Sequence, residues 1–164
     1  MATNVRTRRL MKELSTIRKD AALGTLDPIL TLEPVSDSLD TWTATIKGPD
    51  DSAYSGFVFK LSINIPSQYP MTPPEVRFVT KIFHCNVHFS SHEICLDILK
   101  STWTPAWSLQ HVVRAIHLLM GAPEPDSPLN CDAGNLLRAG DKRAHDSMVR
   151  LICSRYAERL QPEK

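Results

Sequence analysis

Between residues 5 and 20 the apolar positions Leu10, Leu14 and Ile17 recur at i, i+4 and i+7, the spacing that lines one face of a helix, and Gly24 stands beyond them as a stop. The period then shortens. Residues 29–35 form a weak strand-like run, and residues 41–47 alternate around Trp42, Ala44 and Ile46 before Gly48-Pro49. Residues 57–65 place Phe57, Phe59, Leu61, Ile63 and Ile65 on one side, the alternation of a half-buried antiparallel strand. The turn-rich stretch 48–56 joins the two as a hairpin loop. Pro66 stops the third strand, and a short fourth over 76–79 follows the corner Tyr69-Pro70-Met71-Thr72-Pro73-Pro74. Residues 83–93 keep neither period and read as an ordered loop, whereas the apolar run from Ile94 pins the backbone to a core. Ser108 then precedes a stripe of Val112, Val113, Ile116, Leu119 and Met120 that ends at Gly121, a capped helix. A short helix is expected at 130–138. Asp141 caps a last one whose buried face is expected to be Ala144, Met148, Leu151, Ile152, Tyr156 and Leu160. Helix, four strands, long loop, helices: this order predicts an α+β fold with helices against one side of an antiparallel meander.

A length of 164 residues and 42% hydrophobic composition suit one domain over 1–164 with a single core. The balance of 19 basic and 18 acidic residues excludes a chain built mainly to neutralise phosphates, so no nucleic-acid partner is expected. Met1–Thr7 lacks the apolar core of a signal peptide, no apolar run is long enough to span a bilayer, and Gln161-Pro162-Glu163-Lys164 matches no sorting tripeptide. The chain therefore reads as neither secreted nor membrane-spanning, and its four cysteines as reduced thiols. Prolines gather at 66–74 and 123–128, where they stiffen connectors. Arg6, Arg8, Arg9, Lys12, Arg18 and Lys19 leave the first helix basic on its polar side, either a solvated face or a surface for an acidic partner.

Candidate chemistry concentrates in residues 83–99, which hold two of the four cysteines and three of the six histidines. His84, Cys85, His88, His92 and Cys95 could supply zinc ligands, but without a repeated C-x-x-C or H-x-x-x-H unit and in a chain with a core of its own. A cysteine protease would need an imidazole beside the thiol in a context that Cys95 lacks. Transthiolation needs less: an exposed thiol, a shallow groove and a polar group for the oxyanion. Asn86 is the one amide side chain in the loop able to be that group.

Tyr69-Pro70-Met71-Thr72-Pro73-Pro74-Glu75-Val76, Phe83-His84-Cys85-Asn86, Glu93-Ile94-Cys95-Leu96-Asp97-Ile98-Leu99 and Trp103-Thr104-Pro105 occur in an order that resembles the ubiquitin-conjugating enzyme family. The resemblance covers nearly the whole chain, through Asp126-Ser127-Pro128-Leu129. It implies the ubiquitin-conjugating (UBC) fold and a thioester on Cys95, received as ubiquitin from the activating enzyme. Asn86 would stabilise the oxyanion or order the loop, His84 would brace that loop, and Asp97 would line the groove. Ser127 stands where the family often has an aspartate that helps an attacking lysine lose its proton and desolvate. Ligase and activating-enzyme docking would fall to Arg8, Arg9 and Lys12, to Met71, and to Thr104, Pro105 and Ala106. Tyr69, Pro70, Pro73, Pro74 and Trp103 would be structural support. No metal or small cofactor is implied, since ATP is used by the activating enzyme.

Two departures refine this. The usual His-Pro-Asn reads His84-Cys85-Asn86, and the interval from Asn86 to Cys95 is one residue longer than is common, with His92 where glycine is usual. Both are similar to the peroxisomal, peroxin-type branch of the family in fungi. That branch implies transfer, with a RING-type ligase, to the cycling import receptor on a cysteine. It also implies a small membrane-anchored co-activator and a cytoplasmic enzyme held peripherally on the cytosolic face of the peroxisomal membrane. Residues 141–160 are offered as the co-activator's face. A thiol acceptor would tolerate Ser127, because it loses its proton more readily than an ammonium does. Cys85 is a small apolar filler or, alternatively, a redox partner of Cys131; Cys153 is expected to be buried. The competing readings are a zinc-binding interaction module and a catalytically inactive scaffold, the latter disfavoured by the intact Asn86 and Cys95.

Overall fold

The computed structural model describes residues 4–162; residues 1–3 and 163–164, part of the two termini read for sorting signals, lie outside the described residues. Asn4 starts the first helix, α1 (Val5–Ala22), by accepting from the Arg6 N–H, and Gly24 at φ +68° turns the chain away from it. Leu10, Leu14 and Ile17 are buried as the period requires, and Glu13 is buried among them.

Four strands follow as an antiparallel meander: β1 (Ile29–Pro34), β2 (Thr41–Lys47), β3 (Phe57–Asn64) and β4 (Glu75–Phe78). Register sets Trp42 opposite Ile63, Ala44 opposite Leu61 and Ile46 opposite Phe59, and all six side chains are fully buried. Each of the large ones contributes about 1.5–3 kcal/mol by leaving water. The helix α2 (Leu109–Gly121), capped by the Ser108 hydroxyl on the His111 N–H, lays Leu109, Val112, Val113 and Ile116 on that face. Then come α3 (Cys131–Arg138), capped by Asn130, and α4 (Lys142–Tyr156), capped by Asp141.

Two expectations need correction. The chain has a fifth strand, β5 (Glu158–Arg159), so the last helix stops at Tyr156 instead of running on to Leu160. β5 pairs with the start of β3, with Arg159 opposite Phe57, and the Leu160 N–H reaches the Gly56 carbonyl at 2.9 Å. The buried face of α4 is also rotated from the expected one. His145, Val149, Ile152 and Cys153 face inward, whereas Met148, Leu151 and Tyr156 are exposed. The stripe lies one position on from the expected one, with His145 and Val149 in it and the apolar Met148 and Leu151 outside it.

Candidate functional site

The loop between β4 and α2 is built on backbone pairing that the sequence does not advertise. Val87 and Ile94 form an antiparallel bridge, the His88 N–H donates to the Glu93 carbonyl at 2.9 Å, and the Cys95 N–H donates to the Asn86 carbonyl at 2.8 Å. Residues 86–95 are thus a narrow hairpin. Buried Val87 and Ile94 anchor it in the core, and Cys95 emerges beside Asn86 at its base, partly exposed. One 3-10 turn, Asp97–Leu99, follows; Asp97 is exposed, and its carbonyl collects the N–H groups of Lys100 and Thr102.

Each histidine of the loop is engaged with main chain. His84 is almost fully buried; its Nδ1 accepts from the Asn86 N–H at 3.0 Å, so its Nε2 donates to the Leu119 carbonyl at 2.9 Å. Burial lowers its pKa from 6.5 to about 4, so the ring is neutral at neutral pH and has no nitrogen left to shuttle a proton. His88 Nδ1 accepts from the Ser90 and Ser91 N–H groups, which closes the tip. His92, at φ +62°, donates from Nδ1 to the Phe78 carbonyl at 2.9 Å and accepts the Phe78 N–H on its own carbonyl at 3.2 Å. The glycine expected at this left-handed position is thus replaced by a side chain that ties the loop to β4. Among the described residues no group of three or more His, Cys, Asp or Glu is placed to hold a metal ion, so the five candidate zinc ligands do not converge.

Asn86 is 1% exposed and engaged at both ends of its amide. Its Oδ1 accepts from the Glu124 N–H at 2.8 Å and from the Cys85 thiol at 3.2 Å. Its Nδ2 donates to the Glu124 carbonyl at 2.9 Å and the Ser127 carbonyl at 3.3 Å. The amide thus fastens the 124–127 segment, which carries exposed Ser127, to the base of the Cys95 hairpin. The Cys85 carbonyl adds to this by accepting from the Leu129 and Asn130 N–H groups. Gly134 of α3 presses on the same segment so closely that a Cβ there would stand 2.9 Å from Pro128 Cβ.

All four cysteines are free thiols. Cys85 is buried and its pKa is pushed up to about 11, while Cys131 is exposed at the start of α3. Cys153 is buried, as expected, and pushed up to about 12. Cys95 therefore combines exposure with a rigid, pairing-defined base, which neither buried thiol has.

The expected docking residues are brought together by four hydrogen bonds. Arg9 donates to the carbonyls of Pro105 at 2.8 Å and Trp107 at 2.7 Å, Trp103 Nε1 donates to the Pro70 carbonyl at 2.9 Å, and the Tyr69 hydroxyl donates to Glu13 at 2.6 Å. These tie α1, the proline corner and the 103–107 loop into one surface, on which Arg8, Lys12, Met71, Thr104, Pro105 and Ala106 are exposed. Arg9 is itself one of the ties, its side chain 26% exposed. Glu13, which sequence reasoning passed over, is the hub: Oε1 takes Arg9 and Tyr69, and Oε2 takes the Leu109 N–H in the first turn of α2 at 2.7 Å. The i, i+4 pair Arg9–Glu13 was its only legible signal.

Comparison with known proteins agrees with this geometry. The family described as "Ubiquitin-conjugating enzyme" matches residues 9–153. "Protein PEROXIN-4" of Arabidopsis thaliana is 53% identical over 143 residues, 87% of this chain and 89% of that one. "Ubiquitin-conjugating enzyme E2 pex4" of Dictyostelium discoideum is 47% identical over 148 residues, 90% of this chain and 97% of that one. Among solved structures, the H. polymorpha ubiquitin-conjugating enzyme Pex4p, crystallised with the soluble domain of Pex22p, superposes with a TM-score of 0.90 at 36% identity. That match covers 94% of this chain and 99% of the other.

Proposed function

The chain belongs to the ubiquitin-conjugating enzyme family, and from that premise we propose that Cys95 carries ubiquitin as a thioester and delivers it to a peroxisomal import receptor. In the charging step the Cys95 sulfur attacks the carbonyl carbon of the thioester held by the activating enzyme. A new S–C bond forms at Cys95, the donor's S–C bond breaks, and the proton of the Cys95 thiol ends on the departing sulfur. Discharge repeats the exchange with a thiol of the receptor, or forms an amide if a lysine attacks. No metal or small cofactor enters either step. The single observation that carries the reading is the position of Cys95: partly exposed at the base of a paired hairpin, its amide fixed by Asn86 and the 124–127 segment locked alongside.

Incubation with activating enzyme, ATP and ubiquitin tests it. A reductant-sensitive adduct is expected, absent in Cys95→Ala and converted to a stable ester in Cys95→Ser. A wild-type adduct that survives in Cys95→Ala would overturn the assignment.

Peroxin names among the relatives support the peroxisomal destination, and a cysteine acceptor fits Ser127, exposed on the segment that Asn86 fastens to the hairpin base. The α1, Met71 and 104–106 surface is proposed to receive the activating enzyme and a RING-type ligase in turn. For the small membrane-anchored co-activator we propose the outer face of α4, where Met148, Leu151 and Tyr156 stand exposed beside Arg150 and Arg155. Support comes from the Pex4p relative, which was crystallised with a soluble domain of Pex22p. No described helix is long and apolar enough to cross a membrane, so attachment through such a partner would give this chain its place at the peroxisome.

A further inference from the structure

We propose that Lys81 is a positioning residue for the thioester reaction, its ammonium holding the tip of the Cys95 hairpin against the end of α4. The proposal rests on Cys95 as the thioester-forming residue. Lys81 Nζ lies 4.3 Å from the centroid of the Phe89 ring and 5.3 Å from that of the Tyr156 ring. Phe89 belongs to the hairpin tip and packs partly buried against the core; Tyr156 is the last residue of α4 and is half exposed. Among the described residues no carboxylate pairs with Lys81, so two aromatic faces are the partners of this partly buried cation. A cation desolvated over ring faces is attracted more strongly than one in open water.

The tip is fastened on two sides, and on the β4 side Arg77 adds to the tie by pairing with Glu93 and donating to the Ser91 carbonyl at 3.4 Å. His92 ties one side to the backbone of Phe78, and Phe89 rests on Lys81, three residues further along the same segment. From the tip to Cys95 the pairing is continuous: His92 to His88, His88 to Glu93, Val87 to Ile94, and Cys95 to Asn86. A hairpin paired along its whole length transmits a tilt of its tip to its base. Loss of the ammonium therefore frees the Phe89 side to rock and changes the direction in which Cys95 presents its sulfur. The apolar packing of Phe89 and the His92 ties remain, so the fold itself is retained.

Lys81→Met keeps the stem and removes the charge; Lys81→Arg restores a cation that stacks on aromatic rings. Single-turnover discharge of the charged enzyme to free cysteine and free lysine reads the effect. We expect Lys81→Met to be about fivefold slower at saturating acceptor, the order expected for one cation–π contact. KM for the acceptor should stay unchanged, and Lys81→Arg should lie within about twofold of wild type. Phe89→Leu removes the same contact from the other side and serves if Met at 81 does not fold. Its combination with Lys81→Met should be no slower than the slower single variant. Wild-type discharge in Lys81→Met, or equal slowing by Met and Arg, would overturn the proposal. If wild type formed no adduct, the Cys95 reading would fail by itself. The amide resonances of Val87 and Cys95, recorded without ubiquitin, would then decide. Displacement in Lys81→Met with recovery in Lys81→Arg supports the clamp, and unmoved resonances overturn it.

Discussion

Truncating Asn86 separates two roles that the family resemblance alone leaves merged. In Asn86→Ala the Glu124 N–H, the Glu124 carbonyl and the Ser127 carbonyl lose a partner, at 2.8, 2.9 and 3.3 Å respectively, as does the weakly donating Cys85 thiol at 3.2 Å. The amide they lose is 1% exposed, but residues 124 and 127 themselves border solvent, so water can replace part of what is lost. A buried polar group left without a partner costs about 1–3 kcal/mol, and a bond replaced by water costs about 1 kcal/mol or less. One group in the first class and two in the second sum to about 3 kcal/mol. Urea unfolding of the free enzyme, with no ubiquitin present, should show that loss as a lower midpoint at unchanged slope. Asn86→Asp should cost at least as much, because a carboxylate cannot donate to the two carbonyls. Discharge should fall as well, since Ser127 and its neighbours come loose from the hairpin base. A group acting only on the oxyanion behaves differently: its removal slows the reaction about 10²–10³-fold and leaves the resting fold unchanged. An Asn86→Ala enzyme with wild-type stability and a discharge defect of that size would refute the ordering role.

Three further outcomes follow from the same contacts. His84 is held neutral, with its pKa lowered from 6.5 to about 4, so its contribution is fully present above pH 6.5 and is lost as pH falls toward 4, where the unfolded chain binds a proton that the folded one refuses. That difference is about 3 kcal/mol, and stability measured across pH 4–7 should flatten by about that much in His84→Phe relative to wild type. Glu13→Ala leaves the buried Tyr69 hydroxyl and the Leu109 N–H without their acceptor, while Arg9 keeps the Pro105 and Trp107 carbonyls, and should cost about 2–4 kcal/mol in thermal or urea unfolding; a loss under about 1 kcal/mol would remove Glu13 as the hub. Ser127→Asp should speed discharge to lysine more than discharge to cysteine, and equal acceleration of both would sever the link between Ser127 and a thiol acceptor.

Much of the fold was readable because single residues declare it. Leu10, Leu14 and Ile17 set the face of α1, the alternation from Phe57 to Ile63 set β3, and Ser108 and Asp141 marked helix starts by their capping hydroxyl and carboxylate. β5 was not readable, since Glu158-Arg159 has neither apolar character nor alternation and forms only because the chain passes the bare start of β3. The face of α4 was misjudged because polar His145 buries while the apolar Met148, Leu151 and Tyr156 stay exposed. At the site, motifs pointed to Cys95, Asn86 and His84, but the partners of the Asn86 amide are main-chain atoms of Glu124 and Ser127, which no side-chain pattern can announce. Arg9 was readable as a basic side chain on the polar face of α1; that it bridges the Pro105 and Trp107 carbonyls depends on how the loop comes back to the helix.

The late strand has a practical consequence. Along its outer margin β3 is matched by β4 over Leu61–Asn64, by Thr80 at Lys60, and by β5 at Phe57 and Val58. A protein cut back to Tyr156 would keep every helix yet present raw backbone at Phe57 and Val58, an invitation to intermolecular zippering. Tags and fusions belong after this plug, never in place of it.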